Sequence, residues 1–316
     1  MTVVDQGIRT ALLTRQLDED PVAHALTIVI PAYNEERGIV PVVGQVRDAM
    51  ESFEYDFEIL VVDDGSRDKT ADQARTTGVR VVQHRQNRGY GEALKTGIRH
   101  AKYDRIAIID ADGSYPAQDI PRLAELLGDA EMVVGARTSR NAAIPLIRRP
   151  AKKALTLLAS YLTGVKIPDL NSGLRLFRRA LAIEFFDLLP SKFSFTTTIT
   201  LAALNSGYLV EFVEIDYYAR TGKSKIRPIQ DTWNFFMLVV RLTLIFRPLK
   251  VFMPLAIGLF LLAAVVLGTG WFGFHKVFDN TAMLLLFAAF QCVAIGMLAD
   301  VVNVRRSRAP RDTPRE

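Results

Sequence analysis

The 316-residue chain contains one cysteine and two tryptophans, and long stretches of it carry no charged residue at all. With Cys292 alone the chain cannot form an internal disulfide, which excludes a disulfide-stapled secreted domain and suits a reducing compartment. The first 25 residues have no long apolar run, so we expect no cleavable signal peptide. The net charge of +5 is modest, and its basic residues cluster beside the uncharged stretches, which favours anionic lipid over nucleic acid as a partner.

Charge is missing from two stretches near the C-terminal end, Val251–Phe272 and Ala282–Ala299. A helix needs roughly 20 apolar residues to cross the hydrocarbon core of a bilayer, and each stretch is about that long. A buried hairpin in a soluble core is the alternative, although uncharged runs of this length are rare in water-soluble domains. Basic residues flank the pair on its outer sides, so we expect a multi-pass protein of the cell (inner) membrane with both termini in the cytoplasm.

Short apolar runs alternate with amphipathic segments from Ala25 to about Arg137. Five runs are predicted as strands: Ala25–Pro31, Phe57–Gly65, Val79–His84, Arg105–Asp112 and Glu131–Arg137. Helical patterns fall between them, near Glu35–Glu51, Lys69–Thr76, Gly91–Ala101 and Ala117–Leu127. This alternation predicts an α/β fold with a doubly wound, mostly parallel sheet, whose ligands bind outside the carboxyl ends of the strands.

The same patterns divide the chain into segments. We expect an N-terminal extension over 1–24, an α/β domain over 25–227 with an amphipathic helix at about 144–165, a juxtamembrane amphipathic helix over 228–250, two membrane-spanning helices over 251–304 and a basic tail over 305–316. Both amphipathic helices place basic residues beside an apolar face, as helices in a membrane interface do. Packing of either apolar face on the α/β domain is the alternative.

Two aspartates, Asp110 and Asp112, close the fourth predicted strand. A carboxylate at the end of a buried strand is costly unless a counter-charge neutralises it. A plain turn would explain Asp112 and Gly113 without any functional role. Two carboxylates two residues apart can instead share a divalent cation, which also takes diphosphate oxygens and acts as Lewis acid and template.

Seven motifs decide between these alternatives: IVIPAYNEE, ILVVDDGSRDKT, NRGYGEALKTGI, IIDADGSYP, VVGAR, DLNSGLRLFRR and RTGKSKI. Their order and spacing resemble those of family 2 glycosyltransferases. Within that family the chain is similar to the polyprenyl-phosphate glycosyltransferases, the group of dolichyl-phosphate mannose synthase and its bacterial undecaprenyl-phosphate counterparts. The resemblance covers about Ala25 to Arg227, the two trailing spans extend it to Val304, and it implies a nucleotide-sugar-binding fold of the GT-A type.

The resemblance also implies a metal site, in which Asp110 and Asp112 bind Mg²⁺ or Mn²⁺ together with the donor diphosphate. Ser114 stands where dolichyl-phosphate mannose synthases often have an amide ligand. It is therefore a weaker candidate ligand, acting directly or through water.

On the donor side, the resemblance implies that Asp63 or Asp64 binds the base or the ribose of the nucleotide. A helix N-terminal cap is the alternative for these two aspartates. The other candidate donor-binding residues are Pro31, Tyr33 and Glu35 in the wall of the base pocket, and Gly89 for close approach of the backbone.

A lipid phosphate acceptor requires cations close to the metal. We expect Arg137 first, because it follows the fifth predicted strand and so leaves the same sheet edge as the aspartates. Further candidates are Arg149, Lys153, Arg220 and Lys225, for which solvent or lipid headgroups are the alternative contacts. The resemblance adds Asp169 and Arg175, which flank a segment that shapes the acceptor pocket in the family.

No general base is expected. A hydroxyl acceptor would require an Asp or Glu to take its proton, whereas a phosphate monoester, with a second pKa near 6, is already ionised. Where many family 2 relatives offer an acidic residue, this chain reads Thr196–Thr200. The motifs therefore predict catalysis by positioning alone.

Together these inferences predict inverting transfer of one sugar from a UDP- or GDP-linked donor to undecaprenyl or dolichyl phosphate at the cytoplasmic membrane face. A second copy of the chain is a further candidate partner. A processive polysaccharide synthase is one alternative, but those relatives carry Gln-x-x-Arg-Trp and more spans, and neither Trp233 nor Trp271 follows an arginine. An inactive membrane scaffold is the other, and the intact aspartate motifs argue against it.

Overall fold

The computed structural model describes residues 25–138, 149–191, 194–218, 228–269 and 279–308. The chain divides into two compact units, Met1–Thr156 with Ile167–Arg227, and Leu157–Lys166 with Pro228–Glu316. The first unit contains a β-sheet and the second contains the C-terminal helices. The described helices are α1 (Ile39–Glu51), α2 (Thr70–Thr76), α3 (Tyr90–His100), α4 (Ile120–Leu126), α5 (Arg149–Thr163), α6 (Arg179–Glu184), α7 (Phe195–Asn205), α8 (Pro228–Phe246), α9 (Leu249–Thr269) and α10 (Asp279–Arg308).

Within the described residues the sheet has seven strands, β1 (Ala25–Ala32), β2 (Asp56–Asp63), β3 (Arg80–Gln83), β4 (Arg105–Ile108), β5 (Met132–Ala136), β6 (Arg175–Arg178) and β7 (Val210–Glu214). Their spatial order is β3-β2-β1-β4-β6-β5-β7. Among these strands only β6 runs antiparallel to its neighbours, β4 and β5. The residues that precede β6 therefore enter the sheet at the edge where β4 and β5 end.

All five predicted strands are present, which confirms the mostly parallel α/β fold. β1, β4 and β5 are buried along their whole length, as their continuous apolar runs indicate. β4 ends at Ile108, earlier than predicted, so Asp110 and Asp112 lie in the loop behind it. The sequence analysis misses β6 and β7, because β6 is four residues long with arginine at both ends and β7 carries two glutamates.

The helices α1 and α3 both pack against the sheet. α1 buries Ile39, Val42, Val43, Val46 and Met50, which recur at the spacing of one helix face. α3 lies close against β1 at Gly97, where a Cβ atom would be 2.3 Å from Cγ1 of Val29. A glycine is therefore needed at this contact.

The second unit contains two helices that are long and apolar enough to cross a membrane, over Leu249–Thr269 and Asn280–Val302. Most of their side chains are exposed on the protein, and lipid is the environment in which such a surface is stable. Both predicted spans are thus helical. The predicted amphipathic helices correspond to α5 and α8, and residues 144–148 lie outside the described chain. α8 ends before Pro248, which disfavours a helical conformation at Arg247.

Candidate active site

The loops after β1, β2 and β3 are tied together at the carboxyl edge of the sheet. Asn34, with a φ of 56°, donates its N–H to Oγ of Ser66 at 2.9 Å and accepts at Oδ1 from the N–H of Arg67 at 2.8 Å. Gly65 lies against the third loop, because a Cβ there would be 2.5 Å from the backbone carbon of Gln86. The first loop and the end of β1 carry the predicted base-pocket residues Pro31, Tyr33 and Glu35.

Asp64 is buried and holds the third loop. Its carboxylate is 2.7 Å from Nδ1 of His84 and accepts hydrogen bonds from the backbone N–H groups of Arg88 and Gly89, at 2.9 and 2.8 Å. Nε2 of His84 is 2.9 Å from Oγ1 of Thr96 on α3. The N–H of Gly89 is thus engaged by Asp64, and the carboxylate of Asp64 fixes the backbone around the candidate donor pocket.

Asp63 has a buried carboxylate oxygen, Oδ1, for which the described residues provide no hydrogen-bond partner. Its other oxygen accepts from the N–H of Ser66 at 3.3 Å. A buried acceptor without a partner costs roughly 1–3 kcal/mol, so it marks a place where a ligand N–H or O–H would be bound. The helix-cap alternative for these aspartates is wrong, because the residue that precedes α2 is Lys69.

Asp110 lies beside α3 and the segment before β6. The hydroxyl of Tyr90 donates to its Oδ1 at 2.9 Å, and Gly173 approaches so closely that a Cβ there would be 2.5 Å from Oδ2. Burial, and next the charge of Asp112, raise the pKa of Asp110 to about 6, although the bond from Tyr90 opposes the shift. The two carboxylates therefore offer oxygen donors that suit Mg²⁺ or Mn²⁺, and a bound cation would relieve the repulsion between their charges.

Asp112 is oriented from within its own loop. Its Oδ1 accepts from both the N–H, at 3.0 Å, and the hydroxyl of Ser114, which is buried. The geometry gives Ser114 an orienting contact with Asp112, and direct ligation of a metal by Ser114 stays a prediction. The described residues contain no group of three or more His, Cys, Asp or Glu side chains placed to hold a metal, so a cation held by the two aspartates would take its other ligands from diphosphate and water.

Arg137 and Asp169 form a bidentate ion pair. Nε of Arg137 donates to Oδ2 of Asp169 at 2.6 Å and Nη2 donates to Oδ1 at 3.0 Å. The guanidinium also lies 5.0 Å from the ring centroid of Tyr217 and 6.0 Å from that of Tyr115. A guanidinium has five N–H donors, so three remain beyond the two that Asp169 receives, and Arg137 keeps the capacity to bind a phosphate.

Arg175 requires a correction, because it is fully buried and not on an acceptor-facing surface. It begins β6, where its backbone pairs with Ile108 of β4 and Val134 of β5. Its Nη1 donates to the carbonyl of Thr196 at 2.7 Å and to Oγ1 of Thr200 at 2.9 Å. Burial lowers the pKa of Arg175 to about 10, so it stays charged at neutral pH as a fixed cation near Asp110.

Four further cations are candidates for binding the acceptor phosphate. Arg149 and Lys153 belong to the first turns of α5. Arg220 and Lys225 lie outside the described residues. Their contacts with an acceptor stay predictions.

Sequence reasoning misses four side chains that organise the site. They are His84 beside Asp64, Tyr90 beside Asp110, and Tyr115 and Tyr217 beside Arg137. The hydroxyl of Tyr115 also accepts from the N–H of Gly173 at 2.6 Å, which brings the segment before β6 to the aspartate loop. The position directly after a strand was the available signal for His84. Tyr90 instead begins α3, and the tyrosine pair around Arg137 depends on contacts between distant segments.

Two family models match parts of this chain. A family model described as glycosyl transferase family 2 matches residues 27–186, and one described as the GtrB C-terminal hairpin matches residues 247–303. The chain is 30% identical to the undecaprenyl-phosphate 4-deoxy-4-formamido-L-arabinose transferase of Pseudomonas fluorescens, over 89% of this chain and 85% of that protein. It is 29% identical to the dodecaprenyl-phosphate galacturonate synthase of Rhizobium johnstonii, over 90% of this chain and 89% of the relative.

The fold is also found among solved structures. A glucosyl-3-phosphoglycerate synthase from Mycobacterium tuberculosis, crystallised with Mn²⁺, UDP and phosphoglyceric acid, aligns with a TM-score of 0.56 over 72% of this chain and 82% of that one. At 20% identity this likeness shows the fold alone. The family model, in contrast, spans half of the chain and includes both aspartate motifs. The protein therefore belongs to glycosyl transferase family 2.

Proposed function

We propose that this protein transfers a single sugar, with inversion, from a nucleotide-sugar donor to a polyprenyl phosphate. The observation that carries the proposal is the placement of Asp110 with Asp112 and of Arg137 with Asp169 at one edge of the sheet. The first pair suits a metal-bound leaving diphosphate, and the second offers a guanidinium to an anionic acceptor. The polyprenyl-phosphate relatives and the apolar C-terminal hairpin support a lipid acceptor.

The donor pocket lies at the loops after β1, β2 and β3. Oδ1 of Asp63 provides a buried acceptor for an N–H or O–H of the nucleoside, and Asp64 holds the surrounding backbone. Tyr90 and Ser114 orient Asp110 and Asp112. A bound Mg²⁺ or Mn²⁺ would neutralise the diphosphate as it leaves. The donor in this proposal is a UDP- or GDP-linked sugar.

On the acceptor side, Asp169 and the rings of Tyr115 and Tyr217 hold the guanidinium of Arg137 in one orientation. A phosphate monoester is ionised near neutral pH, so it attacks without a residue that removes a proton. The work of the protein is then to align the attacking oxygen with the anomeric carbon.

The membrane supplies the acceptor in this proposal. The two apolar helices form a multi-pass anchor, with the α/β domain and both termini in the cytoplasm, where nucleotide sugars are available. The basic residues outside the two spans support this orientation.

The test is a panel of UDP- and GDP-sugars with a short-chain polyprenyl phosphate, using wild type, Asp112→Asn and Asp129→Asn. Asp129 is exposed in a turn and provides the same chemical change outside the site. We expect Asp112→Asn to lose at least about 100-fold in rate and to lose the thermal protection that Mn²⁺ with nucleotide gives, because one charge of the metal site is gone. Near-normal transfer by Asp112→Asn at limiting Mn²⁺, or transfer to water or a sugar alone, would overturn the proposal.

A further inference from the structure

A groove of about 650 Å³ runs along one face of α9 in the second unit. Its lining includes Tyr161 of α5 and Lys250, Met253, Ile257, Gly258 and Leu261 of α9. These α9 positions recur every three or four residues, so they share one side of the helix. The groove therefore follows the axis of an apolar helix for about three turns.

The lining of the groove beyond Lys250 is apolar and exposed in the described chain. Met253, Ile257 and Leu261 are exposed along it. Gly258 forms a notch, because a Cβ atom there would have no described heavy atom within 4 Å outside its own helix and chain neighbours. A hydrocarbon chain is the ligand that fills such a surface inside a bilayer.

One end of the groove, which we call its mouth, is lined by the cation Lys250, and a second cation, Arg247, lies close to Lys250. Nζ of Lys250 lies 3.5 Å from the carbonyl oxygen of Tyr161, and Nη1 of Arg247 lies 3.3 Å from that of Thr163. Each contact uses one N–H of a group that has three (Lys) or five (Arg) donors, so donors remain for an anion. The two side chains are anchored at the C-terminal end of α5, whose carbonyls favour positive charge.

The length of the groove selects the ligand. From Lys250 to Leu261 the helix rises about 16 Å at ~1.5 Å per residue. That distance is close to half of a hydrocarbon core of ~30 Å, the depth of one leaflet. A single chain of one leaflet would extend along the groove with its headgroup at the cations, whereas free phosphate would leave the apolar part unfilled.

We propose that this groove binds an anionic phospholipid, with one acyl chain along α9 and the phosphate at Lys250 and Arg247. The site is separate from the proposed transfer reaction and does not depend on it. A phosphodiester carries one charge, which two cations already shared with helix carbonyls can neutralise. The bound lipid would belong to the folded hairpin as a structural ligand.

The experiment uses the full-length protein purified in a neutral detergent and titrated with phosphatidylglycerol or phosphatidylcholine. Native mass spectrometry counts bound lipids, and thermal unfolding reports stabilisation. Gly258→Leu fills the notch, and Gly268→Leu is its matched control, because it lies on the same helix with open space around its Cβ and outside the groove lining. Lys250→Gln removes one cation at the mouth.

We expect wild type and Gly268→Leu to retain one phosphatidylglycerol more tightly than phosphatidylcholine. Gly258→Leu should lose that retained lipid while unfolding at the wild-type temperature in phosphatidylcholine, and Lys250→Gln should lower the preference for phosphatidylglycerol about fivefold. Equal retention by Gly258→Leu and Gly268→Leu would overturn the proposal. Displacement of the retained lipid by an equimolar short-chain polyprenyl phosphate would also overturn it, because the groove would then belong to the acceptor.

Discussion

The hydroxyl of Tyr90 donates a hydrogen bond of 2.9 Å to Oδ1 of Asp110. Tyr90 is the first residue of α3, and the residue before it, Gly89, donates its N–H to Asp64. The start of one helix thus contacts both the candidate donor pocket and the candidate metal site. Groups that orient a metal ligand typically contribute about 10–100-fold to metal affinity or activity.

We therefore predict that Tyr90→Phe weakens the apparent affinity for Mn²⁺ by about 10–100-fold, with the fold retained because only one hydroxyl is removed. Nucleotide binding titrated with Mn²⁺ measures this effect. Tyr103→Phe is the control, since Tyr103 lies before the start of β4, at the opposite end of the strand from Asp110. An unchanged affinity in Tyr90→Phe would show that the hydrogen bond does not orient the ligand.

Two helix glycines should respond to alanine in opposite directions. Gly97→Ala places a methyl group against Val29 and should lower the free energy of unfolding by about 1–3 kcal/mol. Gly44→Ala, in α1 with open space at its Cβ, should raise it by about 0.5–1 kcal/mol. Thermal or denaturant unfolding measures both. Val29→Ala in the same chain should recover part of the Gly97→Ala loss, and failure to do so would contradict the contact.

Replacement of Glu92 should lower the stability of the protein by an amount that depends on pH. It is buried beside Ser191, Arg88 and Arg99; burial alone would raise its pKa, but the Ser191 hydrogen bond and the arginine charges outweigh it and lower the pKa from 4.5. A carboxylate whose pKa is lower in the folded state than in the unfolded state stabilises the protein at pH values above the unfolded-state pKa. This contribution is lost as the pH falls through the folded-state pKa.

We expect Glu92→Gln to unfold at a lower temperature than wild type at pH 7, by an amount equivalent to about 1–2 kcal/mol. The difference should stay constant down to about pH 5.5 and shrink below 4.5 as Glu92 takes up a proton. The exposed Glu54→Gln should show no such trend. A Glu92→Gln difference that is the same at pH 3.5 and pH 7 would rule out an ionic contribution.

The absence of a general base can be tested residue by residue. Glu184→Gln, Asp187→Asn, Glu211→Gln and Glu214→Gln should each keep turnover within about tenfold of wild type, whereas loss of a general base typically costs roughly 10²–10⁴-fold. Glu184 accepts a hydrogen bond from the hydroxyl of Tyr208, and Glu211 and Glu214 lie on β7. These three residues therefore have places in the fold that need no catalytic role. If one replacement abolished transfer while folding and donor binding stayed intact, a hydroxyl acceptor would become the better hypothesis.

The strands with continuous apolar runs could be predicted from the sequence because burial on both faces dictates their composition. β6 could not, since its place between β4 and β5 depends on pairing across 41 to 73 positions of sequence and on Arg175 at its start. In a parallel sheet the carboxyl ends of the strands lie at the same edge, so strand direction alone predicts which residues lie there. That rule placed Asp110, Asp112 and Arg137 at one edge.

Assignment of individual cations was less successful, and Arg175 shows why. An arginine beside a motif looks like a phosphate ligand in sequence, but the carbonyl of Thr196 and the hydroxyl of Thr200 receive its N–H groups inside the protein. The contacts of Ser114 and Asp64 could not be predicted either, because their partners are backbone groups or neighbouring side chains that no residue pattern specifies. Sequence identifies which chemistry is present, whereas packing decides which polar group faces the ligand.

The ion pair between Arg137 and Asp169 sits where the chain leaves the sheet after β5 and where it returns before β6. Residues 138–168 are therefore an excursion with both ends fastened together. A change in the length of this excursion would leave its two ends joined at Arg137 and Asp169, so the ion pair separates the candidate active site from length changes in the segment between them.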